Sequence, residues 1–184
     1  ARCRVMSDRT VDAQWLATHP GDPQVRIVEV DVSRAAYDQG HIPGAVFWNA
    51  YTDLRDATYQ PVGRTTLEDL VERSGIGADT SVVVYGYGGA LGFWLLHANG
   101  HNDVRMLEGS RDQWSQAGQR WSTDTPAPSS GANGLRPGDS DISATRAAVQ
   151  SAVGDPTKLN LDVRSQLEYS DERFWPSGAA EGAG

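Results

Sequence analysis

The sequence predicts an α/β fold built on a parallel sheet, and three observations carry that prediction. Short β-branched runs such as "VRIVEVDV" (25–32) and "SVVVYG" (81–86) read as strands buried on both faces. Helix-length amphipathic segments separate them, as parallel crossovers require. Gly and Pro punctuate nearly every junction.

In chain order, "VDAQWLATH" (11–19) sets Val11, Trp15 and Leu16 on one helical face, with Thr10 as a candidate cap and Pro20 and Pro23 beyond its end. After the first strand, "SRAAYDQG" (33–40) reads as a short helix stopped by Gly40, and "AVFW" (45–48) as a buried strand. "TTLEDLVERSGI" (65–76) buries Leu67, Leu70 and Val71, with Thr65 or Thr66 capping and Gly75 closing. The central strand 81–86 leads through a glycine-rich turn into "FWLLHAN" (93–99); "DVRML" (103–107) and "SRDQWSQAG" (110–118) complete a first unit spanning 10–121, after a tail at 1–9.

Residues 122–141 are rich in Pro, Gly, Ser and Asp and read as a linker. The pattern then restarts at an offset of 131 residues: Val11 aligns with Ile142, Ala13 with Ala144, Val30 with Leu161, Asp31 with Asp162, and Val32 with Val163. Residues 142–184 therefore predict the opening of a second unit: a helix at 142–156, a strand at 158–164, and a short helix. A strand without its own sheet is expected to pair with a neighbouring chain or to fray, which makes self-association through this segment an expectation.

The net charge of −8 is spread along the chain without a basic patch, which argues against nucleic acid or anionic membranes as partners. No apolar run approaches the roughly 20 residues of a membrane span, and the N-terminal "ARCRVMSDRT" has no secretory pattern. The one cysteine, Cys3, excludes a disulfide framework and fits a cytoplasmic location. Its polar tail offers nothing to activate the thiol, so Cys3 reads as incidental.

"GHIPGAVFW" (40–48) follows the first strand and helix, and His41 there reads more readily as a buried hydrogen-bonding anchor than as a proton-transfer group. With "VEVDVSRAAYDQ" before it, this stretch resembles the first half of a rhodanese domain. "GHNDVRMLEGSRDQW" resembles the family's second signature, with Gly100, His101, Val104, Leu107, Gly109 and Trp114 matching and Ser110 replacing a second glycine. The resemblance implies a rhodanese-like three-layer domain with a central parallel sheet, followed by an incomplete second rhodanese-like unit. It also implies sulfur transfer from thiosulfate to cyanide or a thiol through a cysteine persulfide, without metal or organic cofactor. In the family a cysteine opens the loop after the central strand, and inward N–H groups and a helix N-terminus stabilise its thiolate.

Here that place falls at Gly86 or Tyr87, and a phenol is a poor substitute for a thiolate. No Lys or Arg lies between Arg73 and Arg105, and the loop and helix are about one turn short of the family pattern. Gly86, Tyr87, Gly88, Gly89, Ala90, Leu91 and Gly92 thus form a degenerate active-site-like loop, and no catalytic residue is assigned. Asp162 and Arg164 are candidate contributors to the cleft of a full-length protein, although a structural ion pair is the favoured reading. The expectation is part of a thiosulfate sulfurtransferase whose own loop is inactive; the alternative is a non-enzymatic module for protein binding or oligomer stabilisation. Two weaker patterns are set aside. Gly86, Gly88 and Gly92 with Glu108 imitate a dinucleotide fingerprint, but on the wrong strand. His97 and His101 have a metal-like spacing broken by Gly100.

Overall fold

The computed structural model describes residues 9–19, 21–128 and 134–172. Cys3 lies outside them, as do 129–133 of the Pro/Gly-rich segment and the end of the second unit. The chain divides into two units, Ala1–Ile142 and Ser143–Gly184.

The first unit holds a five-stranded sheet in the order β1-β5-β4-β2-β3, with every pairing parallel. The strands are β1 (Thr10–Val11), β2 (Val25–Asp31), β3 (Val46–Asn49), β4 (Ser81–Tyr85) and β5 (Val104–Leu107). The intervening helices are α1 (Ala13–Ala17), α2 (Ala35–Gln39), α3 (Arg64–Arg73), α4 (Gly89–Ala98) and α5 (Ser110–Gln116). Val28, Val30, Val82 and Val84 pack on one face with Leu67, Leu70 and Val71 of α3 and Leu95 and Leu96 of α4. Ile27, Val83 and Tyr85 pack on the other with Leu16, Tyr37 and Trp114 of α1, α2 and α5. This is the predicted three-layer arrangement. Because both faces are covered, β4 is apolar throughout its central residues rather than alternating.

Several boundaries shift for local reasons. Thr10 and Val11 are not the start of a helix: they form β1 beside Met106 and Leu107. Asp12, not Thr10, caps α1, its Oδ1 accepting the Trp15 amide at 2.6 Å. Gly63 occupies the cap position of α3, ahead of both threonines. α4 begins at Gly89, four residues before the predicted start, so Gly89–Gly92 are helix and only Gly86–Gly88 are loop.

Composition marks 122–141 as a linker, yet its described ends lie on the first unit as a strap. Ser122 and His41 exchange main-chain hydrogen bonds at 2.8 Å in an antiparallel bridge. Leu135 is buried in the α3/α4 core. The Arg136 carbonyl accepts Arg64 Nη1 at 3.0 Å, and Asp139 N donates to the Ala98 carbonyl at 3.2 Å. Glycines permit this closeness: a Cβ on Gly100 would stand 2.4 Å from the Arg136 oxygen, and one on Gly138 2.3 Å from the Ala98 oxygen.

In the second unit, α6 (Arg146–Ala152) is capped by Thr145 and α7 (Gln166–Tyr169) by a Ser165/Glu168 capping box. The segment 158–164, predicted as a strand, carries no strand geometry and has no strand partner among the described residues. Leu159 and Leu161 are exposed, where their repeats Val28 and Val30 in the first unit are fully buried; Val163 is exposed, as is its repeat Val32. A strand's conformation is stabilised by its neighbours, and the described residues supply none here.

Because Leu135 fills the core, Leu135→Ala is expected to cost about 2–4 kcal/mol. A urea titration showing less than about 0.5 kcal/mol would make the strap an unattached linker.

Candidate functional site

The strand order reverses between β2 and β4, because β3 lies on one side of β2 and β4 on the other. In open parallel sheets the crevice at the carboxyl ends of two such strands is where ligands bind. The glycine-rich loop leaves β4 at this place, so fold and motif agree on where a site should be.

Val30 of β2 lies directly against the loop. A Cβ on Gly86 would lie 2.5 Å from the Val30 carbonyl oxygen, one on Gly88 2.8 Å from Val30 Cγ1, and one on Gly92 2.9 Å from Val30 Cγ2. Three of the four loop glycines are therefore small because β2 presses against them. Gly86 also sits at φ +94°, a left-handed conformation that a cysteine would adopt only with strain.

The amides are committed as well. Gly86 N donates to Ser110 Oγ at 2.8 Å and Gly88 N to the Val30 carbonyl at 2.8 Å. Gly89 N donates to the Gly86 carbonyl, and Leu91 N and Gly92 N to that of Gly88. An anion at this helix start would have to displace these acceptors. Tyr87 projects outward, 63% exposed, and Ala90 and Leu91 lie on the first turn of α4.

Ser110, noticed in the sequence only as a departure from a glycine, closes the loop. It holds φ +52°, an uncommon conformation for serine, and its hydroxyl accepts the Gly86 amide. Glu29 is the residue that sequence reasoning passed over. It is fully buried within β2, its Oε1 bonded to Arg111 Nη1 at 2.6 Å and its Oε2 accepting the Tyr85 hydroxyl. Arg111 also donates to the carbonyls of Gly40 and Ala36 and lies over the Trp121 ring at 4.3 Å. The Ile42 amide donates to the Tyr85 oxygen at 3.1 Å. The only sequence signal was a carboxylate inside an apolar strand, which must find a cation if buried. Burial, and then the neighbouring Glu29 carboxylate, push the Tyr85 phenol far above its usual range.

The remaining candidates are accounted for in turn. His41 is buried, its Nδ1 at 3.0 Å from the Tyr37 carbonyl and its Nε2 at 2.8 Å from that of Asp124. His101 contacts the carbonyls of Gly134 and Thr80 at 3.0 and 2.9 Å, so its nitrogens already have partners and do not converge with His97. Glu108, the acidic residue of the fingerprint pattern, accepts the Thr10 hydroxyl at 2.8 Å and ties β1 in place. Asp162 and Arg164 of the second unit form an exposed pair, Nη2 to Oδ2 at 2.8 Å, whose bonds hold the Asp162 carboxyl below its usual range.

The family model described as "Rhodanese-like domain" matches residues 12–117. The chain belongs to the rhodanese-like family. A Mycobacterium tuberculosis (strain CDC 1551 / Oshkosh) protein carrying the name thiosulfate sulfurtransferase SseA is 36% identical over 183 residues, covering 96% of this chain and 61% of its own. A Thermus thermophilus sulfur carrier protein, TtuD, is 35% identical, over 94% of this chain and 64% of its own. The rhodanese-like chain thus spans less than two thirds of the length of these relatives. Among solved structures, the Escherichia coli 3-mercaptopyruvate sulfotransferase SseA superposes with a TM-score of 0.78 at 22% identity, over 89% of this chain and 68% of that one. That likeness supports the fold alone. Among the described residues, no helix is long and apolar enough to cross a membrane.

Two measurements check this geometry. Gly86→Ala, which must break the Val30 contact at a left-handed φ, is expected to cost about 2–3 kcal/mol in urea unfolding, against about 1 kcal/mol for Ser110→Ala. Stability should also fall as pH rises above about 10, because the unfolded chain then gives up the tyrosine proton that folded Tyr85 keeps. Tyr85→Phe should flatten that alkaline slope in a pH series of unfolding curves; an unchanged slope would assign it elsewhere.

Proposed function

We propose that this chain is the non-catalytic first rhodanese-like unit of a thiosulfate sulfurtransferase, together with the opening of a second unit. In that reading, the sulfane sulfur of thiosulfate passes to cyanide or a thiol through a cysteine persulfide held by the complete second unit of the full-length protein. The observation that carries it is the closeness of β2 to the loop: Val30 lies against Gly86, Gly88 and Gly92, and the amides of Gly86, Gly88, Gly89, Leu91 and Gly92 already have acceptors. A persulfide loop needs the opposite, with open space and N–H donors aimed at the sulfur.

The loss of chemistry is therefore architectural as well as a matter of one residue. A thiol at position 86 would collide with β2. At position 87 it would face solvent, with the amides of Gly86, Gly88 and Gly89 already bonded elsewhere. The relatives' names support the reaction class, and the 131-residue repeat supports a tandem arrangement. Asp162 and Arg164 remain proposed contributors to the complete protein's cleft, since their mutual pair leaves both at an accessible surface.

The experiment is a thiosulfate–cyanide assay of the chain, its Cys3→Ser variant and its Tyr87→Cys variant. None is expected to form thiocyanate above background. The Tyr87→Cys thiol should react with iodoacetamide along a profile centred near the ordinary thiol value of about 8.5. Turnover by Tyr87→Cys, or a reactive thiolate centred below about pH 7, would show that the loop can still act as a cradle. Turnover by Cys3→Ser would refute the proposal outright.

A further inference from the structure

A cavity of about 340 Å³ lies beside the first residues of β2, at the end of the sheet opposite the glycine-rich loop. Arg26 lines it, with Asp22 and four prolines: Pro23 before β2, Pro43 before β3, and Pro126 and Pro128 of the strap. The prolines give the wall a fixed shape, because the ring locks φ, and an apolar surface without main-chain N–H groups. Hydrogen-bond donors for a ligand must therefore come from elsewhere in the lining.

Arg26 is the donor without an acceptor. Arg34, Arg64, Arg73, Arg105, Arg111 and Arg136 of the same unit each meet a carboxylate within 3.3 Å. Arg26 meets none among the described residues, and its Nε is buried with no hydrogen-bond partner. A buried N–H left unbonded is costly, and a native fold rarely keeps one without use. Burial also pulls the Arg26 guanidinium below its ordinary value, and no neighbouring carboxylate offsets that pull. Asp22, the acidic residue of the same lining, is turned to its own loop, its Oδ1 accepting the Gln24 amide at 2.8 Å.

We propose that this cavity binds a small organic carboxylate, its oxygens taken by Arg26 and its carbon body laid against the prolines. The Nε and Nη edge of a guanidinium offers two parallel N–H groups, which match the two oxygens of a planar carboxylate. The proline wall excludes water from the carbon body and loses little freedom on binding, because it is already rigid. Asp22 disfavours an anion through its like charge, so it limits affinity rather than supplying it. The site stands at the other end of the strands from Gly86–Gly88 and does not depend on sulfur chemistry there.

The test is a propionate titration of the chain at constant ionic strength, followed by nitrogen–proton NMR. The Arg26 Nε–H signal and the amides of Ile27, Gly44 and Ala127 should shift together and saturate, with a dissociation constant on the order of 1 mM. The amides of Gly86 and Gly88 should not move. Arg26→Gln should abolish saturation at the three amides, and Arg26→Lys, which keeps the charge without the fork, should weaken it. Asp22→Asn should tighten binding on the order of threefold by removing the like charge. Sulfate that saturates the same signals as tightly as propionate would overturn the assignment to a carboxylate. Shifts that do not saturate by concentrations on the order of 50 mM, or that survive Arg26→Gln, would overturn the site itself. The wild-type Arg26 signal decides the matter even if a variant does not fold.

Discussion

The close approach of α4 to the end of β2 is the constraint on which the site depends. Parallel strands with helices on both faces leave a natural opening where the strand order reverses, and here Val30 lies against three glycines of the loop and the first turn of α4. A side chain at Gly86, Gly88 or Gly92 would push the helix off the sheet. The contact sets the helix position, the helix position allows α4 to start at Gly89, and the early start shortens the loop to three residues. What looks like an anion cradle in the sequence is a packing surface in the fold.

Beneath that surface lies a polar core that is fully partnered. Glu29 would be costly to bury alone, but Arg111 and Tyr85 satisfy its two oxygens from two other elements. The same Arg111 gathers the carbonyls of α2 and Gly40 and stacks on Trp121, so one buried carboxylate joins β2, β4, α2 and α5 to the start of the strap. Ser110 adds a hydroxyl where the family pattern has a glycine, and that hydroxyl engages the amide that opens the loop. Charge satisfaction and loop closure meet at adjacent residues of α5, which is why the first turn of this short helix matters more than its length suggests.

The two glycine-histidine corners give the unit its outer binding. Both belong to the motifs by which the family is recognised, and in this chain both act on the strap rather than on a substrate. The second unit shows the converse case. Its helices carry sound local signals, an N-cap and a capping box, and they form. Its strand segment has the right alternation but no strand partner among the described residues. Local hydrogen bonds suffice for a short helix end; a strand needs partners from elsewhere in the chain.

The sequence by itself determined the fold class, four of the five strands to within a residue or two, the family, and the absence of a cysteine from the glycine-rich loop, because hydrophobic period, turn residues and motif spacing are local properties. It also placed His41 correctly as a structural anchor. The tertiary structure alone decided that the glycines face Val30, that Ser110 closes the loop, that Glu29 is neutralised by Arg111 from 82 positions away, and that a Pro/Gly-rich stretch is a strap with a buried Leu135. Each of these rests on a contact between residues distant in the chain. A glycine that permits a left-handed turn, one that cradles an anion and one that admits a neighbouring valine are the same letter until the neighbour is in place.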